Sequence, residues 1–336
     1  MLRELSLLTL SLIWGVACGK TEPPSSPDAG AARPALSAVA VAPPSVADTS
    51  FRFPAAERIV AIGDLHGDVR AARSALALGG AIDAAGKWIG GSLVVVQTGD
   101  QLDRGDDEPE ILDLFERLRR EAQAAGGAVY ALNGNHEVMN VRGDFRYVTA
   151  DGFHDFLAGH PDEAHVRATE GISAEQRGRA EAFLPGGEMA KRLAQQLVVI
   201  QVGDTVFVHG GVLEAHVRYG LGRINREARD WMLGAPSAPA PASLTNESAL
   251  IWVRDYSDGI PLAGKCDEAA RVLANLSAKR MVVGHTVQQQ GINSVCAGKV
   301  WRIDVGLSRF YGGKPSVLEI RGEQAKALTA GPAVAP

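Results

Sequence analysis

The most regular signal along the chain is a short apolar run, rich in Val and Ile, that stops abruptly at glycine and a polar residue. It occurs five times, as RIVAIGDLHGD (58–68), SLVVVQTGDQLDRG (92–105), AVYALNGNHE (128–137), TVFVHGG (205–211) and RMVVGHT (280–286). Runs of this length, β-branched and bounded by glycine, predict buried strands. Helical periodicity fills the gaps between the first three. One segment runs from Asp68 to Leu78 and ends at Gly79-Gly80. The next follows Asp107, places Ile111, Leu112, Leu114, Phe115 and Leu118 on one face, and ends at Gly126-Gly127. Strand, helix, strand, helix predicts parallel pairing with helices as cover, an α/β sandwich.

The ends of the chain read differently. Arg3, an apolar run from Leu5 to Trp14 and then Gly15-Val16-Ala17-Cys18 predict a secretory signal peptide over residues 1–17. The segment resembles a bacterial lipobox, which implies a lipid on Cys18 after cleavage. Residues 18–56 hold seven of the 17 prolines and few large apolar groups, which predicts a flexible tether. The folded domain is expected over 57–324, with 325–336 a disordered tail. Between the third and fourth strands, residues 141–197 form a long connection carrying Phe145, Tyr147, Phe153, Phe156, Leu157 and Phe183. This predicts a helical cap over the site, with a plain structural insert as the alternative. Residues 235–242, rich in Pro and Ala, predict a surface loop.

Composition narrows the class. Of 336 residues 46% are hydrophobic, enough for a sizeable core, and the net charge of −5 argues against a nucleic-acid-coating protein. No apolar stretch reaches the ~18 residues that a membrane span needs. Three cysteines exclude a disulfide-built scaffold. With Cys18 set aside, Cys266 and Cys296 remain. In an oxidising compartment such a pair tends to close into a disulfide, the alternative being two unrelated buried thiols.

The chemistry sits where the strands end. In sheets of this kind ligands bind beyond the carboxyl ends of the strands, and every polar cluster here is at such an end. Asp64, His66, Asp100, Asn135, His209 and His285 are oxygen and nitrogen donors without a thiolate among them, a set that suits Mn, Fe or Zn. Two such ions sharing one carboxylate can activate a bridging water for in-line attack on phosphorus. His154, His160, His165 and His216 lie outside this pattern and read as ordinary core or surface histidines.

Taken as motifs, GDLHG, GDQLDRG, GNHE, HGG and GHT resemble the calcineurin-like metallophosphoesterases of the phosphoprotein phosphatase type. More narrowly, GDLHGD, GDQLDRGDDE, NGNHEVMN and IDVGLSRFYGG (303–313) resemble the Shewanella-like phosphatases, over residues 57–321. The resemblance implies a β-sandwich flanked by helices and a pair of divalent ions. One would be held by Asp64, His66 and Asp100, the other by Asp100, Asn135, His209 and His285. It also implies that His136 is the general acid, Asp103 its orienting partner and Arg104 a clamp on the phosphoryl oxygens. Arg254 in LIWVRDY is the candidate second clamp, with a surface ion pair to Asp255 or Asp258 as the alternative. The tyrosine-bearing loop of the eukaryotic serine/threonine enzymes is missing, and GLSRFYGG occupies the corresponding region.

The implied activity is hydrolysis of phosphoprotein, including phosphotyrosine, or of small phosphoesters. A dinucleoside tetraphosphate hydrolase shares these motifs and is the alternative. A non-catalytic binding module should have lost a ligand or the acid, and none is lost. The expected setting is the periplasmic side, as a monomer that meets the membrane only through the lipid on Cys18 and binds no nucleic acid.

Overall fold

The computed structural model describes residues 51–156 and 163–331. The signal peptide, Cys18, the tether up to residue 50, Leu157 and His160 lie outside them. The order begins β1 (Arg52–Phe53), β2 (Ile59–Ile62), α1 (Val69–Leu78), β3 (Val94–Gln97), α2 (Glu108–Ala124) and β4 (Ala128–Ala131). Five short helices follow: α3 (Asn135–Val141), α4 (Ala150–His154), α5 (Glu163–Ala168), α6 (Ala174–Phe183) and α7 (Glu188–Leu193). The second half carries β5 (Val199–Val202), β6 (Thr205–Val208), α8 (Glu214–Tyr219), α9 (Leu221–Met232), α10 (Ala242–Thr245) and α11 (Lys265–Leu276). It closes with β7 (Arg280–Val283), β8 (Asn293–Val295), β9 (Val300–Arg302), β10 (Ser316–Arg321) and β11 (Gln324–Thr329).

Each of the five apolar runs is a strand, and they divide between two sheets. One sheet has the order β11-β10-β2-β3-β4, the other β1-β5-β6-β7-β9-β8. The pairs β2–β3, β3–β4, β6–β7 and β7–β9 are parallel, so their carboxyl ends point the same way within each sheet. Strand alternation separates the layers. Ile59, Ala61, Val94 and Val96 face inward and join Ile200, Phe207 and Val282 of the other sheet in one core between them. Val60, Ile62 and Val95 face outward against Ala72, Leu76, Ile111 and Leu118 of α1 and α2. The remaining helices cover the outer face of the second sheet. The result is the α/β sandwich that the strand and helix periodicities predict.

Both boundaries of the domain need correction. The fold begins at Phe51 rather than residue 57. Phe51 is buried, β1 pairs in parallel with β5, and the Phe53 ring lies 4.5 Å from Tyr130. Two aromatic anchors recruit this stretch to a sheet edge despite its Pro/Ala-rich surroundings. At the other end, residues 324–329 form a strand registered along the whole of β10, from Arg321↔Gln324 to Ser316↔Thr329. This hairpin turns at Gly322-Glu323, with Gly322 at φ 56°, a left-handed conformation that glycine adopts without strain. Ladder hydrogen bonds hold the strand, which is why its weakly apolar sequence gave no warning.

The connection at 141–197 is helical, but its aromatics serve its own packing. Phe145 meets Phe153 and Phe156 meets Phe183, at centroid distances of 6.1 and 5.1 Å, within the core beside the second sheet. Among the aromatics described there, Tyr147 alone reaches the cleft described below. Residues 235–241 form the loop between α9 and α10, tied down where Trp231 Nε1 donates to the Ala238 carbonyl.

Cys266 and Cys296 form a disulfide that joins the start of α11 to the β8–β9 hairpin across a separation of 30 residues. Closing a loop of that length stabilises a fold by about 3–4 kcal/mol through the unfolded chain. Replacing both cysteines by serine should lower the urea midpoint accordingly. An unchanged midpoint would contradict the staple.

Candidate active site and metal centre

The strands of the two sheets end side by side, and all ten residues singled out in the sequence meet there. Asp64, His66, Asp100, Arg104, Asn135, His136, Arg254 and His285 line a cleft of about 210 Å³, together with Tyr147, Trp252, Thr286, Asp304 and Tyr311. His209 and Asp103 lie immediately behind, both fully buried. Arg254 pairs with neither Asp255 nor Asp258. Its guanidinium donates to the His285 carbonyl and to Thr286 Oγ1 at 3.0 and 2.8 Å, while Asp255 pairs with Lys265. His154 is exposed beside Asp151. His216 is buried, accepting the Leu213 N–H at Nδ1 and donating from Nε2 to the Ser248 carbonyl.

Asp100 is the hub. Its Oδ2 lies 3.2 Å from His209 Nε2, 3.7 Å from His136 Nε2 and 3.9 Å from His66 Nε2. Its Oδ1 accepts the His136 N–H at 3.0 Å, at the start of α3. His209 Nε2 is also 2.8 Å from Asn135 Oδ1 and 3.0 Å from His285 Nδ1. Asp64 takes the His285 N–H between its two oxygens.

Local backbone geometry aims these groups. His66, Asp100, Asp103, Arg104 and His285 all occupy left-handed backbone, with φ from 45° to 69°. Such residues turn the chain sharply at the strand end and hold their side chains over it, at a cost of about 1–3 kcal/mol each in strain. The glycines make room. A Cβ at Gly134 would overlap Asp100 Oδ1, and one at Gly284 would overlap Asp64 Oδ1.

The donor set fits metal ions on three counts. His66 Nδ1 is 3.1 Å from the Leu102 carbonyl and His209 Nδ1 is 3.0 Å from the Thr98 carbonyl. A carbonyl only accepts, so both Nδ1 atoms carry hydrogen and both Nε2 lone pairs face the cluster. His285 Nε2 is buried with no hydrogen-bond partner. Finally, the carboxylates crowd. Burial, then Asp304 and Asp100, push Asp64 well above its usual value, and burial with Asp100 pushes Glu137 up to about 7. Burial, opposed by the Gly306 N–H, lifts Asp304 to about 6. Burial drives the His66 imidazole down to about 3 and holds His285 well below its usual range. Buried acids reluctant to ionise beside imidazoles that resist protonation are the groups whose mismatch a divalent cation resolves. The triads His66–Asp100–His136 and Asp100–His209–His285 each present one ligand atom per residue within 4.8 Å.

Some contributors gave no separate signal. Asp304 follows β9 in VWRIDVG, where Arg302 interrupts the apolar run and no glycine precedes the acid. Glu137 accepts the main-chain N–H groups of Asp100, Gln101, Leu102 and Gly134 at 2.6–3.2 Å, binding the end of β3 to the end of β4. Asn140, one turn after His136, donates to Asp103 Oδ1 at 2.9 Å.

Two packed sheets whose parallel strands end in a paired cluster of nitrogen and oxygen ligands, with arginines at its mouth, define a metal-dependent phosphoesterase. The family model for calcineurin-like phosphoesterases matches residues 57–289, and the chain belongs to that family. It is 44% identical over 305 residues to Shewanella-like protein phosphatase 2 of Arabidopsis thaliana, covering 80% of this chain and 76% of the relative. Shewanella-like protein phosphatase 1 of Plasmodium berghei is 31% identical over 281 residues, covering 81% and 74%. The crystal structure of a cold-active protein-tyrosine phosphatase from a psychrophilic Shewanella species shares the fold. The TM-score is 0.65 at 24% identity, over 83% of this chain and 82% of that one. The chain is a metal-dependent phosphatase.

Glu137→Gln keeps the side-chain size but turns an amide toward N–H groups that need acceptors. Unfolding in urea should show a loss of about 2–5 kcal/mol. An unchanged midpoint would remove Glu137 from its place at the strand ends.

Proposed function

We propose that this phosphatase acts on phosphomonoesters with a preference for aryl phosphates, phosphotyrosine above all. Asp64, His66 and Asp100 would hold one divalent ion, and Asp100, Asn135, His209 and His285 the other. Mn, Fe or Zn suits the donors. Bound there, the pair would supply Lewis-acid polarisation of the phosphoryl group and an activated water.

The chain's own residues do the rest. Arg104 and Arg254 flank the cleft and bind phosphoryl oxygens, whose charge their planar guanidinium groups stabilise through transfer. Arg254 is anchored for this by its bonds to His285 and Thr286. His136 protonates the leaving oxygen. Its Nδ1 lies 2.5 Å from Asp103 Oδ2, which leaves Nε2 free to face the cleft. Burial disfavours the charged ring, but Asp100 and Asp103 outweigh it and raise its pKa above the ordinary imidazole value.

The aryl preference rests on one observation: Arg104 is framed by aromatic rings. Tyr147, Tyr311 and Phe310 have their centroids 4.8, 5.2 and 5.6 Å from the guanidinium carbon. Tyr147 also lies 5.1 Å from the His136 ring and Tyr311 5.5 Å from that of His66. Both tyrosines are partly exposed at the mouth, where a substrate ring would enter between them. The Shewanella relative described as a protein-tyrosine phosphatase supports the same choice. We place the enzyme outside the cytoplasm, anchored through Cys18. The Cys266–Cys296 disulfide supports an oxidising compartment.

Tyr147→Ala and Tyr311→Ala should each lower kcat/KM on phosphotyrosine about 3- to 10-fold while changing that on phosphoserine less than about twofold. Equal losses on both substrates would refute the aromatic frame as the source of preference.

A further inference from the structure

Behind the cleft lies a second polar cluster that the reaction as described does not use. Its centre is Arg179 of α6, completely buried, in the helical connection between β4 and β5. The guanidinium grips both oxygens of Glu108, Nη1 to Oε2 at 2.5 Å and Nη2 to Oε1 at 2.9 Å. Nε donates to Asn140 Oδ1 at 2.9 Å, and Nη1 also donates to the Gly152 carbonyl at 2.8 Å. The rings of Phe183 and Phe156 lie 4.6 and 5.2 Å from the guanidinium carbon and help to exclude water from the group.

Three branches of this cluster lead to Asp103. Glu108 Oε1 accepts the Asp103 main-chain N–H at 2.5 Å. Asn140 Nδ2, on a side chain whose oxygen Arg179 fixes, donates to Asp103 Oδ1 at 2.9 Å. Arg179 Nη2 itself stands 3.6 Å from that same oxygen. The remaining oxygen, Oδ2, faces His136 Nδ1. Asp103 sits at φ 67°, a backbone conformation that persists only where its surroundings hold it. Its main chain is held by Glu108 and its carboxylate by Asn140, and Arg179 bonds to both.

We propose that Arg179 is a positioning residue for the proton transfer. Through Glu108 and Asn140 it fixes the rotation of the Asp103 carboxylate, and so the direction in which His136 presents Nε2. The inference rests on the reading of His136 as the acid. It makes the connection at 141–197 part of the catalytic apparatus, through a side chain that never meets substrate. Without the guanidinium, the Asn140 oxygen loses its donor, its amide is held only from the Nδ2 side by Asp103 and the His136 carbonyl, and Glu108 is left as an uncompensated buried charge. Asp103 then loses the fixed plane against which the imidazole is set.

The test compares leaving groups, because an alkoxide needs a proton and p-nitrophenolate scarcely does. Arg179→Met alone strands the Glu108 charge and is prone to misfolding, so it is paired with Arg179→Met/Glu108→Gln, in which the buried charge is balanced. The metal-loaded double variant should keep its metal content and its KM for both substrates. Its kcat on phosphoserine should fall about 10- to 100-fold, as expected for loss of an orienting partner, and that on p-nitrophenyl phosphate less than about threefold. Equal losses on the two substrates, or recovery of phosphoserine turnover in the double variant, would reduce Arg179 to a structural ion pair and overturn the proposal. His136→Ala, assayed alongside, separates the two claims. If it shows the unequal loss and the Arg179 variants do not, only the positioning role falls. If His136→Ala itself loses both activities equally, the acid assignment falls and the role of Arg179 with it.

Discussion

One buried carboxylate organises this molecule. The side chain of Asp100 faces His66, His136 and His209 at once, and its carbonyl accepts the N–H groups of Leu65 and His66 at 2.9 and 3.0 Å. Its own N–H is taken by Glu137. The ends of β2, β3, β4 and β6 therefore converge on a single residue, and the two sheets are registered at their carboxyl ends as well as through the core between them. A charge so placed is tolerable only with compensation. Burial opposes ionisation, but the positive charge that His209 and then His136 can carry holds the Asp100 carboxyl well below its usual range. Two divalent ions would supply that compensation far more strongly.

The same constraint explains the backbone. A strand that ended by simply continuing would point its side chains to the two faces of the sheet, away from a common centre. Five site residues instead sit in left-handed conformations, and their strain is carried by the surrounding fold. Most of that support is rigid: buried strands, the Glu137 bridge, and the Arg179–Glu108 pair behind Asp103. The metal-capable side chains and the arginines are thus pre-set, which is how a site gains from electrostatics without reorganising during the reaction.

Much of this was legible in the chain. The five glycine-terminated apolar runs gave the strands, their parallel pairing and the positions of all six metal-capable side chains, because a buried strand and a ligand at its end both leave local marks. What escaped depends on long-range partners. Arg179 lies in a mostly polar helix with nothing to distinguish it from a surface arginine; its burial follows from Glu108 and Asn140, both distant in sequence. Strand β11 looked like a tail because an edge strand held by ladder hydrogen bonds needs little apolar character. Phe51 and Phe53 were masked by the prolines before and after them. The aromatics of residues 141–197 predicted a helical cap over the site; the segment is helical, but composition does not say which ring faces the cleft, and of those described only Tyr147 does.

Two ions held at one shared carboxylate would tie metal occupancy to turnover. The most direct measurement is a titration of the metal-stripped protein with Mn, following bound metal and phosphate release from p-nitrophenyl phosphate together. Binding should saturate at about two ions per chain, with turnover rising as the second site fills. Full activity with one ion bound, or turnover that persists with none, would contradict it.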